Sequence, residues 1–413
     1  MSTDKKLLNS KAVGFIDETK QFLSDLIAFK SVGGNETDAM EYLCRRFGEF
    51  DSVEVKKVYI GNSIKDDYYY SCPANEFDYS NTYNLRIVRK GTSSGKSIIL
   101  NTHVDVVPAG EMVNPWQGSC KDGVVLGRGS VDAKGQIATI FLLFKLLEEF
   151  KIKTAGDIIV HIVVEEESGG NGTLAMVRNI HEDAAGCINL EPTDGKLMVS
   201  IRGAVWFKIR LKGRSGHSGS SQTVNPIWMA HEVMSILKDY HRDLFNKLKS
   251  QKYYDQYENP MPLTFGKMHA GDWPSSCPDE AVIEGVLGFL PDMTEKQVCA
   301  GIKQALLDNS SLLNKDNFDL KFTYRHNCCV IDEEDSLVRG IIKGADLADV
   351  NIEKAAMTAS TDAWYYSEIA DIKAVAFGPG KLSCCHSSNE SIKLTEIVDA
   401  GKVLFQSVKI FCG

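Results

Sequence analysis

No stretch of this sequence approaches the about 18 consecutive apolar residues a membrane-spanning helix needs. Its opening, Met1-Ser-Thr-Asp-Lys-Lys6, has none of the apolar character of a signal peptide. There is no CxxC pair, and the eleven cysteines are odd in number and scattered, with adjacent pairs only at Cys328/Cys329 and Cys384/Cys385. Reduced thiols in a cytoplasmic protein are therefore expected rather than a disulfide framework. A basic excess is missing too. Against 55 Asp+Glu stand 46 Lys+Arg, a net charge of −9, which speaks against broad binding to nucleic acid or an anionic membrane. No internal repeat and no low-complexity linker is present. What remains is ordinary globular composition, 43% hydrophobic and 24% charged, which excludes a disordered, collagen-like or coiled-coil chain. At 413 residues the chain exceeds the about 100–200 residues of one domain, so a large and a smaller domain are expected.

Periodicity fills in that outline. Val13, Phe15, Ile16, Phe22, Leu23, Leu26 and Ile27 recur at helical spacing and predict one amphipathic helix over 11–30. A second helix is expected from an N-cap at Asn35 through Phe47. Strands are then expected from Val53, over Tyr83–Val88, Ile98–Thr102 and Asp157–Val164, and at Cys187–Leu190, with helices at 134–150 and 172–181 between them. That alternation predicts an α/β domain whose mixed, mostly parallel sheet is covered by helices on both faces. From about 200 the texture changes to strand, helix (225–240), two strands, helix (294–307) and strand (Phe318–Tyr324), the ferredoxin-like α+β plan. α/β character resumes with helices at 334–347 and 394–411 and a strand at Ala374–Phe377. The reading is a discontinuous domain, 1–199 and 327–413, interrupted by a small domain at 200–326.

Two familiar motifs fail. Gly91-Thr-Ser-Ser-Gly-Lys96-Ser97 has three residues between its glycines where a phosphate loop needs four, and it joins two strands instead of opening a helix. No G-x-S-x-G nucleophile elbow occurs. Acids and imidazoles instead follow successive strands, where α/β folds build their sites. His103 and Asp105 share a strand face, and a carboxylate behind an imidazole orients it for a metal. Asp132, in Gly127-Arg-Gly129-Ser-Val-Asp132-Ala-Lys-Gly135, reads either as a helix N-cap or as a ligand. Glu165-Glu166-Glu167 ends a buried strand; it is a solvated loop tip, or three acids whose repulsion a cation or a proton must relieve. Glu191 closes a fourth strand, and Cys385-His386-Ser-Ser-Asn389-Glu390 lies near the C-terminus. Two histidines and three carboxylates, one shared, suffice for two metal ions, and nitrogen and oxygen donors suit zinc, with cobalt or manganese possible. Cys384 and Cys385 are weaker ligand candidates because adjacent side chains diverge.

In order, these motifs, with Glu191-Pro-Thr and Gly213-Arg-Ser-Gly-His217-Ser, resemble the dinuclear-zinc aminoacylase/carboxypeptidase family, which includes acetylornithine deacetylase and succinyl-diaminopimelate desuccinylase. The resemblance covers about residues 10–410. It implies that His103 and Glu191 bind one zinc, Glu167 and His386 the other, and that Asp132 bridges them. Glu166 would be the general base and Asp105 would sit behind His103. His217 would polarise the scissile carbonyl from a partner subunit. The inserted domain would be the lid and the homodimer interface. Two zincs sharing a water would lower its pKa from about 15.7 toward about 7, so that zinc-bound hydroxide attacks an amide while Glu166 moves the proton.

Two departures follow from the same comparison. Relatives that grip an α-carboxylate carry arginines where this chain has Leu290, in Gly288-Phe-Leu290-Pro291, and Trp364, in Thr361-Asp362-Ala-Trp364. Arg202, Arg214 or Lys267 would have to substitute, or the substrate lacks that carboxylate. Trp364 and Tyr365 line an apolar pocket or simply pack in the interior. Arg202, Asn389 and Trp364 are thus candidate substrate contacts. The expected activity is removal of an acyl group from an N-acyl amino acid or small N-acyl amine. The alternatives are a dipeptidase or carboxypeptidase, a deformylase of a non-amino-acid amine, and a non-catalytic metal-binding homologue.

Overall fold

The computed structural model describes residues 4–72 and 77–413. The described residues divide into two compact units, one drawn from 4–72, 77–200, 329–357 and 361–413, the other from 201–328 and 358–360.

Long β-branched runs build the larger unit's sheet. Its strands lie in the order Val53–Tyr59, Tyr83–Arg89, Ile158–Val163, Ile98–His103, Cys187–Asn189, Ala374–Ala376, Leu197–Ile201 and Cys329–Val330, with Lys354–Met357 paired to Leu197–Ile201. The four central strands are parallel, and antiparallel neighbours flank them. Ile98–His103 and Ile158–Val163 are buried at every position, as strands covered on both faces should be. The mixed α/β sheet expected from the alternation of elements is the observed one. Parallel strands point the same way, so the residues after Ile98–His103, Ile158–Val163 and Cys187–Asn189 gather at one sheet edge.

Helix Lys134–Glu149 is apolar almost all round and fills the layer beside the sheet. Phe141 stacks on Phe22 at 4.2 Å with the rings 9° apart, and Phe150 meets Phe405 at 5.2 Å. A Cβ at Gly401 would stand 2.8 Å from Leu142, so this glycine lets helix Leu394–Cys412 approach.

Several expected elements differ. The 11–30 helix is two, Lys5–Gly14 and Ile16–Ile27, broken at Phe15, whose φ of −92° and ψ of 4° lie outside the helical well. Asn35 does not cap the next helix, Thr37–Gly48; its amide donates to the Val32 carbonyl at 2.9 Å. Strands Leu197–Ile201 and Lys354–Met357 and the small sheet of Ser119–Lys121, Val124–Leu126 and Ser391–Lys393 escaped the periodicity reading because each is five residues or fewer. The glycine-rich segment at 91–96 is a turn. A Cβ at Gly91 would lie 2.2 Å from the Ala155 carbonyl, and the chain enters a strand.

The second unit is a four-stranded antiparallel sheet in the order Leu263–Ala270, Glu280–Phe289, Gly203–Lys212 and Phe318–His326, with helices Pro226–Leu248 and Glu295–Asn309. That is the ferredoxin-like succession. Pro226–Leu248 runs about two turns beyond expectation because its apolar period continues through buried Leu244 and Leu248. Thr294 and Gln297 form a reciprocal capping box at the second helix. Among the described residues no helix is long and apolar enough to cross a membrane.

The stacked Phe22–Phe141 pair predicts a large effect of truncation. Phe141→Ala is expected to cost about 3–5 kcal/mol and to lower the larger unit's melting temperature by about 5–15 °C in scanning calorimetry.

Candidate metal centre

His103, Glu166, Glu167 and Glu191 hang on the ends of buried strands or on the loops that follow, whereas Asp132 precedes helix Lys134–Glu149 and His386 follows the short 3-10 turn Leu382–Cys384. His103 ends the strand Ile98–His103 and is 1% exposed. Its Nδ1 lies 3.0 Å from the Asp105 carbonyl and 3.4 Å from the Asp105 carboxylate, and its Nε2 lies 3.1 Å from Asp132 Oδ1. Asp132 Oδ2 lies 3.3 Å from His386 Nε2, and Glu167 lies 3.0 Å from the same nitrogen. Two donor groups result, His103–Asp132–Glu191 and Asp132–Glu167–His386, each with its ligand atoms within 4.8 Å of one another. Asp132 belongs to both. It is not a helix N-cap: Ala133 occupies that position, no side chain caps the helix, and the Asp132 carboxylate faces two imidazoles. Neither Cys384 nor Cys385 joins a group, and the Cys385 thiol donates toward the Lys381 carbonyl.

The three consecutive glutamates divide their tasks. Glu165, at a φ of +61°, turns inward, is 1% exposed, and accepts from the Tyr79 hydroxyl at 2.5 Å. Glu167 turns to His386. Between them, the amides of Glu166 and Glu167 donate to the two Asp105 carboxylate oxygens at 3.2 and 3.1 Å. Asp105 therefore does more than back His103; it also ties down the loop carrying Glu166 and Glu167. The loop is further braced at the Gly169 carbonyl, which accepts from Ser71 Oγ at 2.8 Å and from the Tyr365 hydroxyl at 2.9 Å. Asp362, also buried, accepts from Thr173 Oγ1 at 2.6 Å. Tyr79 and Thr173 escaped the sequence reading because nothing in their local pattern marks them, and Tyr365, read there as a pocket or interior residue, is buried and donates to the Gly169 carbonyl.

Buried acids crowd the centre and shift one another's protonation. Burial, followed by the neighbouring acids, pushes Glu166 and Glu191 well above the carboxylate range. Burial and Asp132 push Glu167 up to about 7, and burial pushes Asp362 up to about 7. Burial opposes the charge on both His103 and Asp132; their attraction for one another and their other partners prevails, holding His103 well above its usual value and Asp132 well below. Asp132 and Glu167 raise His386 to about 10. Glu191 Oε1 is buried without a hydrogen-bond partner. An orphaned carboxylate oxygen beside two imidazole nitrogens and two further acids is a donor set that fits divalent cations.

The chain matches the model of peptidase family M20/M25/M40 over residues 99–409. The chain belongs to this family. It is a metallohydrolase of amide bonds and uses a metal cofactor. A curated relative, the N-formyl-4-amino-5-aminomethyl-2-methylpyrimidine deformylase of Halalkalibacterium halodurans, is 24% identical over 376 residues, covering 83% of this chain and 86% of that one. The solved structure of the dipeptidase Dug1p from Saccharomyces cerevisiae has a TM-score of 0.81 at 14% identity, covering 100% of this chain and 99% of the other. The YXEP protein of Bacillus subtilis, described as a dinuclear metal-binding M20 peptidase, has a TM-score of 0.66 at 14% identity over 97% and 99% of the two chains. These likenesses place the M20 fold over the whole chain.

The remaining candidate residues have other surroundings. His217 lies on the short strand Gly216–His217 of the second unit, exposed, its Nδ1 accepting from the Gly219 amide at 3.1 Å. Arg202, in the same unit, spends its guanidinium on the carbonyls of Thr358 and Gly203, at 2.5 and 3.1 Å. Trp364 is 1% exposed and packs against Tyr69 at 5.1 Å and Tyr365 at 4.3 Å, so interior packing, not an open pocket wall, is its observed role. Asn389 is exposed and lines a cavity of about 350 Å³ with Met112, Asn114 and Ser388.

Two acids near the centre make the metal-free chain pH-sensitive. Burial raises Glu36 to about 7 and Glu165 to about 8 from an ordinary 4.5. Both bind a proton more tightly folded than unfolded, so their stabilising contribution is full below about pH 4.5 and is lost as pH rises through 7 and 8. Urea midpoints of the metal-free chain are expected to be lower at about pH 8 than at about pH 5.5, and Glu36→Gln with Glu165→Gln should narrow the difference.

Proposed function

We propose that this chain hydrolyses the amide of a small N-acyl amine or N-acyl amino acid with two bound zinc ions, Glu166 serving as general base. The observation that carries this reading is Asp132, shared between two donor groups, with Glu166 on the same loop as Glu167. His103 and Glu191 would hold one ion, Glu167 and His386 the other, and Asp132 both. When bound, the ions polarise the amide carbonyl and acidify the attacking water. Glu166 takes the water's proton as the C–O bond forms and gives it to the amine nitrogen as the C–N bond breaks. A carboxyl already pushed upward by burial is suited to both halves of that transfer. Asp105 fixes the His103 ring and the Glu166 amide together.

The substrate reading leans toward an amine without a carboxylate at the usual place. Leu290 is wholly buried and Trp364 is 1% exposed, so neither position offers a cation. The named activity of the deformylase relative, on an N-formyl aminomethylpyrimidine, accords with this preference. The fold likeness to a dipeptidase keeps cleavage of a small peptide as the second reading. We assign the second unit as lid and homodimer interface, with His217 contributing to the partner's centre as an oxyanion donor. Eleven cysteines with no disulfide accord with a cytoplasmic location.

The test is hydrolysis of a panel of N-formyl amines, N-acyl amino acids and dipeptides by the zinc-loaded chain. Release of formate or another small acid is the expected result; cleavage of dipeptides alone would move the assignment to the second reading. Glu166→Gln is expected to keep its metal and lose about 10²–10⁴-fold in kcat. Survival of activity within about tenfold would exclude Glu166 as the base.

A further inference from the structure

Glu390 is wholly buried, four residues after His386, and belongs to neither donor group. Its Oε1 accepts from the amides of Val131 and Asp132 at 3.1 and 3.2 Å. Its Oε2 accepts from Nη1 of Arg128, which is itself only 2% exposed, at 2.5 Å. The Glu390 carbonyl accepts from the Gly127 amide at 3.3 Å. Arg128 is anchored in turn, its amide donating to the Pro115 carbonyl at 2.8 Å. Directly after Glu390, Ser391–Lys393 pairs antiparallel with Val124–Leu126. One side chain thus fastens the 127–132 loop to the 386–390 segment. The first carries Asp132 and the second carries His386, whose side chains meet at 3.3 Å.

We propose that Glu390, with Arg128, is a positioning residue that sets the affinity of the Asp132–Glu167–His386 group for its metal. The proposal rests on the two-metal reading above. The effect should be unequal between the groups for a structural reason. His103 ends a strand buried at every position and Glu191 lies two residues beyond another, so their placement comes from the sheet. His386 has a φ of +59° and its side chain is 52% exposed, on a segment outside any strand, so the clamp at Glu390 is what holds it against Asp132. An amide at position 390 keeps the volume and one acceptor, but it turns a donor toward either the Arg128 guanidinium or the two loop amides. Every arrangement then leaves donor facing donor.

The experiment is a titration of metal-free protein with zinc in a chelator buffer, resolving two dissociation constants for the native chain, Glu390→Gln and His386→Ala. His386→Ala identifies which binding step belongs to the exposed group. Glu390→Gln is expected to weaken that same step about 10–100-fold and to leave the other within about threefold. Circular dichroism checks that the variant is folded. Should Glu390→Gln fail to fold, Arg128→Lys, which keeps the charge but loses the fork, is expected to show the same selective loss to a smaller extent. Two unchanged constants in a folded variant, or equal weakening of both, would overturn the positioning role. A native chain with fewer than two binding steps would overturn the two-metal reading and this inference with it.

Discussion

Asp132 stands between two imidazoles, His103 Nε2 at 3.1 Å and His386 Nε2 at 3.3 Å, with Glu167 and Glu191 close by. Negative charge gathered in so small a volume is costly, because burial penalises each ionised carboxyl and each repels the next. The protein relieves that cost locally by pairing Asp132 with imidazolium and holding neighbouring carboxyls up. A divalent cation in each donor group would relieve it more completely, by placing charge where the acids converge. The rest of the larger unit can be understood as the means of keeping those side chains together against their repulsion.

The sheet supplies the first means. Parallel strands end at one edge, so the candidate ligands His103, Glu167 and Glu191, distant in sequence, become neighbours without any long side chain reaching across the fold. The second means is a set of fixed hydrogen bonds behind the ligands. Asp105 joins the His103 ring to the loop of Glu166 and Glu167; Ser71 and Tyr365 hold the Gly169 carbonyl; Tyr79 holds Glu165 out of the centre. A chemical centre whose reacting groups sit on loops gains its precision from such supports.

Several residues considered as substrate contacts are structural. Leu290 and Trp364 are buried, and Arg202 is committed to the carbonyls of Thr358 and Gly203. These positions therefore supply packing.

By itself the sequence determined the layered α/β class, the inserted β-α-β-β-α-β segment, and the acids and imidazoles that the fold brings into two candidate donor groups. These are local properties: a 3.6 or 2.0 residue period reports which face is buried, and motif spacing reports where a strand stops. Only the tertiary structure decided that Asp132 faces two imidazoles instead of capping a helix, that Glu165 turns inward to Tyr79 while Glu167 turns to His386, and that Asp105 holds two backbone amides as well as a ring. It also decided the break at Phe15 and the short strands Leu197–Ile201 and Lys354–Met357, whose stability comes from sheet neighbours far away in sequence. For the polar groups the physical reason is shared: each partner is brought in by the fold from a distant part of the chain, 29 residues away between His103 and Asp132 and 262 between Arg128 and Glu390. Periodicity carries no information at that range.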